Sequence, residues 1–216
     1  MPKIEPFEKN VHIYETWFER NKAAYESELK TLFALLPKSG KGLEVGVGTG
    51  RFSAPLGVGM GIDPSLAMGR VASQRGIKLI LGVGENLPCK SNRFDFVILV
   101  TTICFLDDVQ NTLNEAHRVL RSRGYILIGF IDRNSFLGKI YERSKDDNLF
   151  YRYANFISID DLVFHLTQAG FSDLVFRQTI FKKPSEMKKA DSVKPGYGEG
   201  SFVVARGMKN PAACCK

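Results

Sequence analysis

Apolar residues recur at helical spacing through residues 8–36, where Trp17, Phe18, Tyr25, Leu29, Leu32, Phe33 and Leu36 fall on one face of a helix or of two short ones. Pro37-Lys38-Ser39-Gly40 stops that pattern. Short apolar runs then follow at 42–47, 58–62, 78–81, 94–100 and 125–131, each of strand length and bounded by turn residues. Amphipathic stretches at 66–75 and 109–121 lie between them. Strands that alternate with helices and are apolar on both faces predict a parallel sheet covered on each side, a doubly wound α/β fold.

Residues 132–155 are rich in charged and aromatic side chains without a strand pattern, and read as an insertion over the site. Ser158, with Asp161 three residues on, signals a helix start, and Gly170 ends that helix. Runs at 174–181 and 202–205, joined by a basic loop with Pro184 and Pro195, predict an antiparallel hairpin at one end of the sheet, seven strands in all. The organisation expected is one domain over 1–209: a helical cap (1–37), a ligand-binding core (38–131), the insertion or lid (132–157) and a helix with the hairpin (158–209). A tail (210–216) follows.

Composition narrows the class only slightly. At 216 residues, 44% hydrophobic and 25% charged, the chain has the make-up of a globular protein with one core. The longest nearly apolar run, 96–106, is too short to span a bilayer, and the N-terminus lacks a secretory signal, so a cytoplasmic protein without membrane partner is expected. Cys89, Cys104, Cys214 and Cys215 have neither zinc spacing nor disulfide-scaffold density, so reduced thiols and no metal are expected. The net charge of +7 is dispersed except for Lys182, Lys183, Lys188 and Lys189, which makes nucleic acid a disfavoured but open partner.

Candidate chemistry sits after the strands, where open α/β sheets bind ligands. Glu44-Val45-Gly46-Val47-Gly48-Thr49-Gly50 places three alternating glycines at the end of the first strand, which lets a ligand touch bare backbone. The dinucleotide fingerprint wants a glycine at position 51, where Arg51 stands. Asp63, 17 residues after Gly46, ends the second strand with two acceptor oxygens suited to vicinal ribose hydroxyls. Pro64 follows it, and Ser65 suits the N-cap of the next helix. Gly82-Val83-Gly84-Glu85-Asn86-Leu87-Pro88 follows the third strand, and Val100 and Thr101 end the fourth.

In these motifs the chain resembles the class I S-adenosylmethionine-dependent methyltransferases over roughly residues 42–206, and it is similar to their small-molecule branch, which includes the ubiquinone and menaquinone methyltransferases. The resemblance implies S-adenosylmethionine as methyl donor and S-adenosylhomocysteine as product. It implies that Gly46, Val47, Gly48 and Gly50 pack against the methionine part of the cofactor, with Glu44 near its amino group, and that Met68 lies against the adenine, while helix packing accounts for a methionine there equally well. Where related proteins carry an acid to read the adenine, this chain has Val83, which leaves that task to the backbone of Gly84 and Glu85 and to apolar packing, with Asn86 either helping or simply capping the turn. Val100 and Thr101 are implied to stand nearest the transferable methyl, and Tyr14 and Trp17 read either as core residues or as part of a helix that the family sometimes lays over the cofactor. Direct displacement needs positioning more than acid or base chemistry, so no catalytic residue is assigned. His12, His117 and His165 share no ligand spacing, and Cys89 follows the third strand, away from a nucleophile's place. Three functions remain open: methylation of a small molecule at N, O, S or C, methylation of RNA or protein, and cofactor binding without catalysis. The chain is expected as a monomer or homodimer.

Overall fold

The computed structural model describes residues 4–210, so all but the first residue of the expected tail at 210–216, Cys214 and Cys215 included, lies outside the described residues. Eight strands form one sheet: β1 (Gly42–Val45), β2 (Met60–Asp63), β3 (Lys78–Leu81), β4 (Phe94–Val100), β5 (Leu120–Ile131), β6 (Phe171–Thr179), β7 (Lys194–Pro195) and β8 (Phe202–Lys209). Their order is β3-β2-β1-β4-β5-β8-β6-β7, parallel from β3 to β5 and antiparallel from β5 onward. The helices are α1 (Glu5–Lys9), α2 (Val11–Arg20), α3 (Lys22–Phe33), α4 (Ser53–Leu56), α5 (Leu66–Gln74), α6 (Val109–Val119), α7 (Phe136–Ser144) and α8 (Ile159–Gln168). Among them none is long and apolar enough to cross a membrane.

The central strands read as unbroken apolar runs because helices cover both faces. One face packs Leu43, Val97, Leu99 and Ile126 against Leu113 and Ala116 of α6 and Leu162 and Leu166 of α8. The other packs Phe96, Ile98, Leu127 and Val204 against Phe18 of α2, Leu32 of α3 and Leu137 of α7. The capping box expected at Ser158 is present: its hydroxyl accepts the Asp161 N–H at 3.1 Å, and the Asp161 carboxylate accepts the Ser158 N–H at 2.9 Å.

The fold differs from the sequence expectation at several points. The N-terminal pattern resolves into three helices, because Asn10 and Asn21 leave helical geometry and turn their side-chain amides back onto the carbonyls of Pro6 and Trp17. The sheet has an eighth strand, since Lys194–Pro195 in the basic loop pairs with Gln178 and Arg177 at the sheet edge, where proline costs no ladder bond. The last two long strands are neighbours as expected, yet β8 inserts between β5 and β6. Strand β5 begins at Leu120, before a left-handed Arg123 and a register shift against β4 that hide the alternation of its first residues.

Candidate active site

The turn after β1 is held by backbone before any ligand is considered. The N–H groups of Gly46 and Val47 both donate to the carbonyl of Ile62 in β2, at 2.8 and 3.0 Å. Gly46, Gly48 and Gly50 have φ of +72°, +52° and +79°, a region that residues with a Cβ enter at a cost. A Cβ on Gly48 would lie 3.5 Å from the Tyr14 hydroxyl, in the space between turn and cap.

Asp63 closes this turn from β2. Its carboxylate accepts the Gly48 N–H at 2.8 Å and the Ser65 N–H at 2.9 Å. Burial pushes its carboxyl above the usual range, and these two bonds act against that rise. A carboxylate offers about four acceptor positions, so about two remain for a ligand. Ser65 caps α5 by accepting the Met68 N–H at 3.2 Å and donates its hydroxyl to Glu8 of α1 at 2.6 Å.

A cavity of about 700 Å³ opens above these groups. Its wall brings together Gly46, Gly48, Asp63, Pro64, Met68, Gly84, Glu85, Val100, Thr101, Tyr14 and Trp17, eleven residues singled out in the sequence. Thr101 takes φ +52°, and Ile180, also in the wall, takes φ +61°, left-handed conformations that are rare for β-branched residues and concentrate at functional sites. Glu85 also organises the neighbouring loop, its carboxylate accepting the N–H groups of Asp107 and Asp108 at 2.9 and 3.2 Å.

Glu44, Val47, Gly50 and Asn86 do not reach that wall. Glu44 lies behind the turn, fully buried, where its carboxylate accepts the Ser53 hydroxyl and burial pushes its pKa up to about 8. Val47 packs with Ala72 and Ile77 beneath the turn, and Gly50 is pressed against the Ile77 side chain. Asn86 is exposed and closes a tight turn onto the Val83 carbonyl. Sequence reasoning missed Thr102, whose hydroxyl meets the Gly46 carbonyl at 3.2 Å, and Glu28 of α3. It also missed the individual aromatic residues that the 132–155 segment contributes, Tyr141, Phe150 and Tyr151, although it placed that segment over the site. Cys89 is not in the wall, and burial raises its thiol, against a nucleophile's need.

A methyltransferase domain family matches residues 43–128. The crystal structure of a SAM-dependent methyltransferase from Thermotoga maritima, described as a possible histamine N-methyltransferase, superposes with a TM-score of 0.94 at 47% identity, covering 96% of this chain and all of that one. The chain belongs to the S-adenosylmethionine-dependent methyltransferases. An uncharacterized protein of Methanocaldococcus jannaschii is 44% identical over 203 residues, 94% of this methyltransferase and 98% of the relative. A demethylmenaquinone methyltransferase of Staphylococcus saprophyticus is 28% identical over 192 residues, covering 74% of this chain and 81% of the relative.

The methyltransferase's cavity suits its cofactor by the chemistry of its walls. A buried carboxylate with free acceptor sites matches a ribose diol, glycine backbone bare of Cβ atoms allows close approach, and Met68 adds an apolar side chain to the wall, of a kind that would suit a base. Arg51, the residue that breaks the dinucleotide spacing, has a structural task of its own. Its guanidinium donates to Glu15 of α2 at 2.6 Å, and Arg75 at the end of α5 donates to the same carboxylate at 2.5 Å and to the Thr49 carbonyl at 2.6 Å. Burial opposes a charge on Glu15, but the two arginines prevail and hold its pKa down to about 2. This clamp ties the cap helix that carries Tyr14 and Trp17 to the glycine turn.

Proposed function

We propose that this methyltransferase transfers the methyl group of S-adenosylmethionine to a small molecule held in the same cavity as the cofactor. The observation that carries the reading is the cavity itself. Pockets for single small ligands run from about 300 to about 1,000 Å³. At about 700 Å³ the cavity has room for the nucleoside and a compact acceptor, beneath a cover made by α1, α2 and residues 136–151. The names of two relatives support it, since one is described as a possible histamine N-methyltransferase and another as a demethylmenaquinone methyltransferase, both with small-molecule acceptors.

In this reading Asp63 takes the ribose hydroxyls and the backbone of Gly46 and Gly48 lies against the methionine part. Pro64, Met68, Val83 and Gly84 enclose the adenine, with Glu85 at its edge. Val100 and Thr101 stand beside the reacting methyl, and Tyr14 and Trp17 close the top. The cofactor brings a methyl group already activated by its sulfonium, so the chain's own work is to align the acceptor and exclude water. The 132–157 segment acts as the lid.

Incubation with radiolabelled S-adenosylmethionine tests this against a metabolite extract, total RNA and total protein, at low and high salt. Label is expected in molecules that resist nuclease and protease. Label confined to RNA, with salt-sensitive binding through the exposed Lys182, Lys183, Lys188 and Lys189, would replace the small-molecule reading with an RNA one.

A further inference from the structure

Glu28 projects from α3 into the cavity wall, is 4% exposed, and meets no hydrogen-bond donor or cation among the described residues. Its situation contrasts with that of Asp63 in the same wall, which accepts two backbone N–H groups. A buried carboxyl without a partner costs folding free energy and gives no contact in return, so such groups call for a partner that the protein alone does not supply. Desolvation raises its pKa to about 8, so without a partner the group is mostly the neutral acid at neutral pH, and a cation set beside it favours the carboxylate.

Its surroundings select among partners. The charge of Glu28 is felt by Tyr14, Tyr141 and Tyr151, all in the cavity wall, and the rings of Tyr141 and Tyr151 are 5.1 Å apart between centroids. A carboxylate that shares a cavity with tyrosine rings attracts a cation by its charge, and any ring face turned to the same space adds to that attraction. It repels an anion, and it offers a neutral alcohol a weaker bond than it offers an ammonium or imidazolium N–H.

We propose that Glu28 is the acceptor-binding residue and that the acceptor is a small organic amine or N-heterocycle, received through an N–H group between the Glu28 carboxylate and the rings of Tyr141 and Tyr151. This rests on the small-molecule reading above and narrows it to a chemical class.

Calorimetry on the protein saturated with S-adenosylhomocysteine tests it with two matched pairs, phenethylamine against 2-phenylethanol and tryptamine against tryptophol. At least one amine is expected to bind at least about tenfold more tightly than its alcohol, the scale of a hydrogen bond to a charged group. Glu28→Gln is expected to remove that preference while keeping wild-type affinity for S-adenosylhomocysteine, which also reports that the variant is folded. Equal binding of amines and alcohols, failure of both amines to bind, or unchanged amine affinity in Glu28→Gln overturns the proposal. A folded Glu28→Gln variant, checked by near-ultraviolet circular dichroism, that loses S-adenosylhomocysteine instead assigns Glu28 to the cofactor and also overturns it. Alcohol binding alone leaves the small-molecule reading standing, whereas methylation of RNA or protein with no small ligand bound removes that reading itself.

Discussion

Asp63 serves the fold and the ligand at once, and its substitutions separate the two roles. Asp63→Asn keeps one oxygen for a backbone N–H but loses the charge and an acceptor. With hydrogen bonds to charged groups worth roughly 1.5–3 kcal/mol, S-adenosylmethionine affinity should fall about 10- to 100-fold. Calorimetry with S-adenosylmethionine and, separately, NAD reads this, and unchanged affinity would remove Asp63 from the ribose. Gly48→Ala should lower the melting temperature modestly, since the left-handed backbone costs about 1–2 kcal/mol with a Cβ. It should weaken the cofactor further, because the new methyl points into the space below Tyr14. At this scale the sequence was informative wherever a place in the cavity wall is a local matter of backbone freedom and residue type, as at Gly46, Gly48 and Asp63. It was less so for Glu44, Val47 and Gly50, which belong to the same motif but face away from the cavity. Spacing shows that a turn exists, whereas direction depends on what packs behind it.

Between elements, the clamp of Arg51, Glu15 and Arg75 decides how firmly α2 covers the site. Glu15→Gln should loosen that helix: faster amide hydrogen exchange through Val11–Arg20 is expected, with weaker cofactor binding, while exchange in β4 and β5 stays slow. Equal acceleration in cap and sheet would show that the clamp supports the whole fold instead. Ser158→Ala removes one half of a capping box and should cost about 1 kcal/mol, seen as a lower denaturant midpoint with S-adenosylmethionine affinity intact. That box was legible in the sequence because Ser158 and Asp161 are three residues apart. The clamp was not, because its arginines lie 36 and 60 residues from Glu15. Arg51 could be recognised only as a departure from dinucleotide spacing.

For the whole molecule, buried acids set the pH response. Glu44 and Glu28 hold their protons up to about pH 8, while the unfolded chain releases them near 4.5. Between those values the unfolded state binds fewer protons than the native one, so the stability these two acids contribute declines as pH rises and levels off above about 8. Glu15 acts in the opposite sense: depressed to about 2, it contributes stability above about 4.5 that is lost as pH falls towards 2. Melting temperatures across pH 3–9 should therefore decline on the alkaline side for the ligand-free protein. Glu44→Gln and Glu28→Gln should each flatten that decline, and a slope unchanged in both variants would mean that neither acid is held protonated.

The sequence by itself determined the alternation of strands and helices, the glycine turn, the acid at the end of β2 and the family they signal, because each is written in residues close together along the chain. Only the tertiary structure decided that β8 slips between β5 and β6, since the pairing partner of an apolar strand is not encoded in its own pattern. It alone revealed Glu28. In the sequence Ser27, Glu28 and Thr31 look like the solvated side of an amphipathic helix. They are buried because the basic loop covers part of that side, with the Asp191 N–H donating to the Ser27 hydroxyl, and because Tyr141, Tyr151 and Ile180 share the cavity wall with Glu28 from residues more than a hundred positions away. Burial is a property of the assembled chain, and an acid's chemistry changes only once burial has removed its water.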